Sequence, residues 1–197
     1  MRSLLGLVAV ASLTLGAGCG GKEYVRGSQE PGIDNAAMST GIDKEDIQRM
    51  LSENLNNLRS APVMNEWRST KPAPVVAVFP FQNSTSEHID SQLDAIISEA
   101  EQWLVDSQTV SVVARDRQNQ MVAEIEGQAH PAFNPANAAK YGRQLGAKYF
   151  ITGKVQAADE RTDSARRVQY FFFMQVIEIE TGIIKWQHKA YQTKMAR

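Results

Sequence analysis

The chain has 197 residues, and its 21 lysines and arginines against 22 aspartates and glutamates give a formal net charge of −1. A charge this close to zero argues against nucleic acid as a partner. The length is enough for one domain with a substantial hydrophobic core, preceded by a short leader and linker.

The first residues of the chain have the pattern of a secretory signal peptide. Arg2 is followed by an apolar stretch from Leu4 to Leu15, and small residues then precede Cys19, the only cysteine. The apolar stretch is too short to remain as a membrane-spanning helix. A single cysteine in an exported chain also lacks a disulfide partner, which indicates another role for the thiol.

A cysteine directly after small residues resembles the lipobox of bacterial lipoproteins, although Gly16 stands where that pattern prefers leucine. The resemblance implies a signal peptide over 1–18 and acyl chains on Cys19, which anchor a protein without a transmembrane helix. It also implies the outer membrane, because Gly20 replaces the aspartate that favours retention at the inner membrane. The alternatives are an ordinary signal peptide cut near Gly18 and a free thiol in a cytosolic protein.

The lipobox resemblance implies a lipidated N-terminus, and the residues after the cysteine predict a flexible tether. Together these cover 19–42. The tether residues lack hydrophobic periodicity and contain several glycines together with serine, asparagine and a proline. When fully stretched, about 22 residues reach at most ~75 Å. The rest of the chain, 43–197, predicts one globular domain.

The domain is predicted to begin with an amphipathic helix over 43–58, capped by Asp43. Its apolar positions follow helical spacing and are Ile47, Met50, Leu51, Leu55 and Leu58. We expect this helix to pack on the domain, because its polar face mixes acidic and basic residues and lacks the lysine richness of a membrane-surface helix. The two prolines in 69–76 end the helix.

The next segments predict alternating strands and helices. Strands are expected at 75–81 and 109–114, because both are rich in β-branched residues. A helix opening at Asp90 or Ser91 buries Leu93, Ile96, Ile97, Ala100 and Leu104. A third helix contains Gln118, Met121, Val122 and Ile125, and a fourth runs from the Asn134-Pro135 cap to Gly146.

The last third of the chain predicts three strands, at 147–156, 166–180 and 183–194. The last two are joined at 180–182, where Gly182 supplies the positive φ of a bulged hairpin. The fold class is therefore α/β, with a single mixed β-sheet of four to five strands flanked by about four helices.

No motif for a cofactor, a metal or a nucleotide is evident. His88, His130 and His188 lie in separate segments without the close spacing of metal ligands, and the glycines form no phosphate-binding loop. The stretch 83–90 concentrates Asn83, Thr85, Ser86, Glu87, His88 and Asp90. We interpret it as a structural or partner-facing loop with Asp90 capping the following helix, in preference to a catalytic site, because no nucleophile elbow is present.

Two groups of residues are candidates for a partner surface. The aromatic run 170–173 predicts a central strand, covered by the helix 43–58 on one face and by other helices on the opposite face. Alternatively, part of one face stays open together with Trp186 and Tyr191. Arg161, Arg166 and Arg167 predict a solvated loop that can meet carboxylates of a partner.

The sequence, with these motifs in this order, resembles the LpoB family. Members of that family are outer-membrane lipoproteins that activate class A penicillin-binding proteins, which are bifunctional peptidoglycan synthases. The resemblance covers roughly 45–195. The matching positions are Asn83, Thr85, Ser86, Glu87, His88, Ile89, Asp90, Asp116, Arg117, Gly146, Ala147, Tyr149, Gly153, Thr181, Gly182, Ile184 and Trp186.

The resemblance implies a fold like the N-terminal domain of TolB and a non-catalytic, allosteric role without a cofactor or a small-molecule substrate. The tether is shorter than in the enterobacterial members and has a single proline, Pro31. The alternatives are kinship with the curli-secretion lipoprotein, an outer-membrane channel subunit, and an envelope adaptor with another partner. An envelope hydrolase has no nucleophile–base pair to support it.

Overall fold

A computed structural model describes residues 39–116 and 146–196 of the chain. The predicted signal peptide, Cys19 and nearly all of the tether lie outside the described residues. The same is true of His130 and of the body of the predicted third and fourth helices.

The described residues form one mixed sheet with helices. In chain order, the elements are helix α1 (Lys44–Arg59), helix α2 (Pro62–Ser69), strand β1 (Val75–Val78), strand β2 (Gln82–Ser84), helix α3 (Asp90–Asp106), strand β3 (Ser111–Val112), strand β4 (Tyr149–Arg161), strand β5 (Arg166–Glu178) and strand β6 (Ile184–Ala196). The six-stranded sheet has the order β3-β1-β4-β5-β6, with β2 also paired to β4. Pairing is parallel around β1 and β2 and antiparallel from β4 to β6. The predicted fold class is confirmed, with six described strands where four to five were expected.

Helix α1 begins as its sequence predicts. Asp43 accepts a hydrogen bond from the Asp46 backbone N–H at 3.0 Å, and the Asp46 carboxylate accepts one from the Asp43 N–H at 3.1 Å. This reciprocal capping box satisfies two backbone donors that the first helical turn would otherwise leave unpaired. All five predicted apolar positions of the helix are buried. The prediction that this helix packs on the domain is therefore confirmed.

Strand β5 buries only one of its two faces. Tyr170, Phe172 and Met174 are at most 1% exposed, whereas Phe171 and Phe173 between them are only half-buried. Successive side chains of a strand point to opposite faces of the sheet, so the period of two separates these sets. Full burial of one large apolar side chain stabilises the fold by about 1.5–3 kcal/mol.

Helices α1 and α3 share the face that β5 buries. Their apolar side chains join one core cluster with Phe172, and the Gln48 amide of α1 donates to Glu99 of α3 at 2.7 Å. The prediction that the aromatic strand is covered on both faces was therefore wrong for its central part. The run of four aromatic residues does not show which side chains alternate between the buried and the half-buried face. The pairing with the neighbouring strands determines that alternation.

Strand β1 is covered on both faces, and it is shorter than expected. Val76 and Val78 join the main core, while Ala77 and Phe79 belong to a second apolar cluster on the other face. The predicted strand 75–81 is interrupted because Pro80 has no N–H for a ladder hydrogen bond. The chain resumes pairing as β2.

Three further predicted boundaries need correction. The expected strand 109–114 is reduced to Ser111–Val112. Helix α2 was not predicted, although Pro62 stands at its first position and its Trp67 is fully buried. Asp90 does not cap α3: the N-cap residue is Ile89, without a side-chain hydrogen bond, and Asp90 is the first helical residue. Its carboxylate there interacts favourably with the helix dipole.

Two glycines occupy positions that a side chain would disturb. Gly182 has the predicted positive φ, at 69°, in the turn before β6. At Gly153 on β4, an added Cβ would lie 2.7 Å from the Phe173 carbonyl oxygen and 2.9 Å from Phe172. The β4–β5 pair therefore requires glycine at this point of closest approach.

A buried ion cluster joins the last strand to the start of the first helix. The Lys194 ammonium on β6, 8% exposed, lies 2.5 Å from Asp43 and 2.6 Å from Asp46 and donates to the Gly41 carbonyl at 2.9 Å. Burial alone lowers the pKa of Lys194, but hydrogen bonds to the two carboxylates outweigh it and the pKa is raised. Burial likewise opposes the ionisation of Asp43, yet its pKa is lowered by Lys194 and by the Asp46 backbone.

Replacing Lys194 by methionine should destabilise the domain by about 3 kcal/mol, because the buried Asp46 carboxylate loses its cation. Urea unfolding of the full chain at pH 7 measures this loss. Lys44→Met, at an exposed position one residue after the cap, is the control and should change the unfolding free energy by less than about 0.5 kcal/mol. Equal effects of the two variants would contradict the cluster.

The stability gap between the wild type and Lys194→Met should depend on pH. The Asp43 contribution is present above its unfolded pKa of about 3.9 and is lost as the pH falls through the lower folded value. The Lys194 contribution is complete below about 10.4 and is lost as the pH rises through the higher folded value. Unfolding free energies should therefore show the widest gap between about pH 4 and pH 10, and a gap independent of pH would contradict this account.

Candidate partner-binding surface

The loop that follows β2 is closed by the side chain of Asn83. Its amide N–H donates to the Glu87 carbonyl at 2.8 Å, and its Oδ1 accepts from the backbone and hydroxyl of Thr85 at 3.0 and 2.8 Å. The Thr85 hydroxyl in turn accepts from the Glu87 N–H at 3.1 Å. The polar backbone groups of this turn are therefore hydrogen-bonded to side chains of the same loop, as is usual in turns that contain asparagine or threonine.

Glu87 connects this loop to the sheet and to the residues before α1. The Tyr170 hydroxyl lies 3.2 Å from the Glu87 carboxylate and 3.0 Å from the Thr40 carbonyl, which both accept from it. Burial and then the negative charge of Glu87 raise the pKa of Tyr170 to about 12. The tyrosine therefore stays neutral and acts as a hydrogen-bond donor.

Ser86, His88 and Asp90, the remaining loop residues, have exposed side chains. Within the described residues, no hydrogen bond joins the Ser86 hydroxyl to the His88 ring. A nucleophile needs a base within hydrogen-bond reach. The loop thus has the contacts of a structural element.

The three arginines of the β4–β5 hairpin bond to carboxylates of their own hairpin. Arg161 and Arg166 both contact Asp159, at 3.0 and 2.9 Å, and Arg167 contacts Glu160. Hydrogen bonds from Arg166 and then Arg161 lower the pKa of Asp159 to about 2. The predicted loop is short, because β4 continues to Arg161 and β5 begins at Arg166.

Arg166 has a second role at the entry of the domain. Its guanidinium donates to the Thr40 hydroxyl at 2.9 Å. Together with Tyr170 and Lys194, it fastens the residues just before α1 to the end of the sheet.

Trp186 and Tyr191, suggested by the sequence as parts of one surface, lie on opposite faces of β6. Trp186 is 8% exposed in the main core, and its indole N–H donates to Asn57 of α1 at 2.9 Å. Tyr191 is 59% exposed on the other face. The two residues are an odd number of positions apart, and successive side chains of a strand point to opposite faces of the sheet.

Tyr191 belongs to a group that we call the aromatic–lysine patch: Lys154, Phe171, Phe173, Lys189 and Tyr191. The sheet register aligns Lys154, Phe173 and Lys189 in one row and Phe171 with Tyr191 in the next. The Lys189 ammonium lies 5.3 Å from the ring centre of Phe171, and that of Lys154 lies 5.8 Å from the ring centre of Phe173. These are cation–π distances.

The two lysines of the patch were missed by the sequence analysis. Each is an isolated basic residue on a strand, and only the cross-strand register brings it over an aromatic ring. The pairing register of the β4–β5 and β5–β6 hairpins would have identified these two lysines.

Other polar residues in contact with the sheet were also missed. Asn54, fully buried on α1, donates to the Phe172 carbonyl and bonds to the His188 ring, both within 3.1 Å. Glu66 accepts from the Tyr149 hydroxyl at 2.7 Å, and this bond and then one from Lys185 lower the pKa of Glu66. These contacts hold α1 and α2 on the sheet.

The described part of the chain holds no group of three or more histidine, cysteine, aspartate or glutamate residues arranged to bind a metal ion. Nor does any helix in that part combine the length and apolar character needed to cross a membrane. His188 is half-buried, and His88 is exposed. Cys19 lies outside the described residues.

Taken together, the described residues define an α/β sheet domain whose side-chain networks close its loops and whose open sheet face carries aromatic and basic groups. The model of one family, the peptidoglycan-synthase activator LpoB, matches residues 46–191. The chain therefore belongs to the LpoB family, as the motifs predicted.

Solved structures that resemble the chain include two LpoB C-terminal domains. That of Salmonella enterica is 16% identical, with a TM-score of 0.48 and coverage of 72% of this chain and 94% of that one. That of Escherichia coli is 16% identical, with a TM-score of 0.46 and coverage of 72% and 97%. Lipoprotein GNA1162 of Neisseria meningitidis is 14% identical, with a TM-score of 0.42 and coverage of 62% and 84%. A comparison with curated protein sequences found no match.

Replacing Asn83 by alanine should destabilise the domain by about 1–2 kcal/mol, because several partners of its amide lose their hydrogen bonds. Ser86→Ala and His88→Ala should change the unfolding free energy by less than about 0.5 kcal/mol, since both side chains are exposed. Chemical unfolding of the three variants tests the structural interpretation of the loop. A hydrolytic activity lost in Ser86→Ala or His88→Ala, with the fold intact, would contradict it.

Proposed function

We propose that this protein is an outer-membrane lipoprotein that binds a class A penicillin-binding protein and activates it allosterically, thereby regulating cell-wall synthesis. The match of the activator family across residues 46–191 carries this proposal. The lipobox-like N-terminal sequence supports it, because an activator of this kind acts from a membrane anchor.

The anchor in this proposal is Cys19, acylated after removal of residues 1–18. Two or more acyl chains hold a protein stably at a bilayer, whereas one alone binds reversibly. Gly20 favours the outer membrane, so that the domain faces the periplasm. The tether between Cys19 and Thr40 then sets how far the domain reaches, at most ~70 Å for about 20 stretched residues.

The entry of the domain is suited to a tethered protein. Thr40 is bonded to Tyr170 and Arg166, and Gly41 is bonded to Lys194. The last residues of the tether are therefore fixed to the sheet before α1 begins. The flexible length available for reach ends there.

Activation in this scheme requires no bond-making by the protein itself. A ligand shifts a conformational equilibrium only by its difference in affinity for the two states. A preference of about 1.4 kcal/mol for the active conformation of the synthase raises the ratio of active to inactive enzyme about tenfold. The glycosyltransferase and transpeptidase chemistry remains that of the synthase.

Addition of the purified full chain to a class A synthase of the source organism should increase glycan polymerisation several-fold, because the bound state favours the active enzyme. Polymerisation of lipid-linked precursor, followed by gel analysis of glycan chains, measures the effect. No stimulation of any class A synthase of that organism would refute the proposal. Large rings in mild detergent would instead favour a channel subunit related to the curli-secretion lipoprotein.

Replacing Cys19 by serine should release the protein from the membrane fraction, because serine cannot form the thioether. The variant should leave stimulation of the purified synthase unchanged and abolish it in cells. Fractionation and mass spectrometry of the N-terminal peptide provide the measurement. A wild-type N-terminus without acyl chains would contradict the anchored model.

A further inference from the structure

We propose that the aromatic–lysine patch is the surface that binds the protein partner, and that the partner presents an acidic surface with apolar groups between its carboxylates. This inference rests on the proposed function, because it assigns the surface through which a protein partner is held. It follows from the charges, the exposure and the register of the open sheet face.

The lysines of the patch differ from most other basic residues of the described domain. Those elsewhere that pair with carboxylates of this chain are Arg49, Arg115, Lys148, Arg161, Arg166, Arg167, Lys185 and Lys194. Lys154 and Lys189 have no carboxylate of the described residues within 4.0 Å and contact aromatic rings instead. Their charge is therefore available to a partner.

The rows around the patch carry no negative charge among the described residues. Gln175 bonds to Gln187 on one side, and Gln169 bonds to Thr193 on the other. The acidic residue nearest along this face, Glu160, is paired with Arg167 at the end of the sheet. A partner with carboxylates therefore meets lysine charges that no described carboxylate of these rows opposes.

The aromatic residues give this positive surface an apolar floor. Phe171 and Phe173 have ring centres 6.5 Å apart and are half-buried, and Tyr191 is 59% exposed. Aromatic side chains with an accessible face are the residue type most enriched at energetic centres of protein interfaces. The rings also hold the lysine ammonium groups near the sheet, so less side-chain freedom is lost on binding.

A second copy of this chain is disfavoured as the occupant of the patch. Two copies packed face to face across a twofold axis bring the same surface against itself. Lys154 and Lys189 of one copy would then lie near those of the other, without a described carboxylate to separate the charges. Like charges at an interface suppress association.

The double variant K154E/K189E of the full chain should bind the synthase at least tenfold more weakly than the wild type, because the introduced glutamates would face the carboxylates of the partner. The variant K154Q/K189Q should have an intermediate affinity and a weaker dependence on salt, since it removes the charge without reversing it. Tyr191→Ala should weaken binding about tenfold through lost apolar contact. Biolayer interferometry at two salt concentrations measures all three.

The matched control is K44E/K71E, which reverses two exposed lysines outside the patch. It should retain wild-type affinity, and circular dichroism and thermal unfolding should show that every variant is folded. Unchanged binding and stimulation by folded K154E/K189E would overturn the patch assignment while leaving the proposed function in place. Equal weakening by K44E/K71E would also overturn it, because net charge alone would then explain the effect.

A second measurement separates failure of the patch from failure of the proposed function. A photoreactive phenylalanine derivative in place of Tyr191, with the same derivative at the exposed Val105 of α3 as control, is crosslinked in cells. A crosslink from position 191 to an acidic segment of a class A synthase supports both proposals. A crosslink to an acidic segment of another envelope protein supports the patch and contradicts the synthase as partner.

The remaining outcomes of the crosslinking experiment overturn the patch assignment. These are a crosslink to a second copy of this chain, a crosslink to peptidoglycan, a crosslink to a basic or uncharged protein segment, and no crosslink from position 191 above that from 105. In each case stimulation of the purified synthase is measured separately and decides the proposed function.

Discussion

The alternation of side chains along β5 is the constraint on which the rest of this structure depends. Tyr170, Phe172 and Met174 require a dry face, and α1 and α3 both lie on that face and join the same core cluster. The intervening Phe171 and Phe173 are then left on the face with the lysines. The core and the open surface are thus two results of the same period of two.

The start and the end of the described domain depend on each other. The capping box that begins α1 uses the same two carboxylates, of Asp43 and Asp46, that compensate the buried charge of Lys194 near the end of β6. A buried cation is tolerated only with such partners. The first turn of α1 and the end of β6 therefore stabilise each other, although about 150 residues separate them in the sequence.

Local patterns in the sequence predicted what local physics determines. The cap and apolar positions of α1, the apolar face of α3, the three long strands and the positive φ of Gly182 depend on near neighbours, and the structure has them. Contacts between distant segments were not predictable. The face on which α1 packs, the separation of Trp186 from Tyr191 and the position of Lys154 over Phe173 all require the strand order and register. The roles of Cys19 and of the loop residues remain predictions from motifs.

The fastening of Thr40 and Gly41 has a mechanical consequence for an anchored domain. A pull on the chain ahead of Ser39 acts on the contacts with Tyr170, Arg166 and Lys194, which belong to the adjacent strands β5 and β6. These contacts share the load with the first turn of α1, because Lys194 also binds Asp43 and Asp46. In the proposed lipid-anchored state, a load on the tether therefore enters the domain at the end of β5 and β6 that holds these contacts.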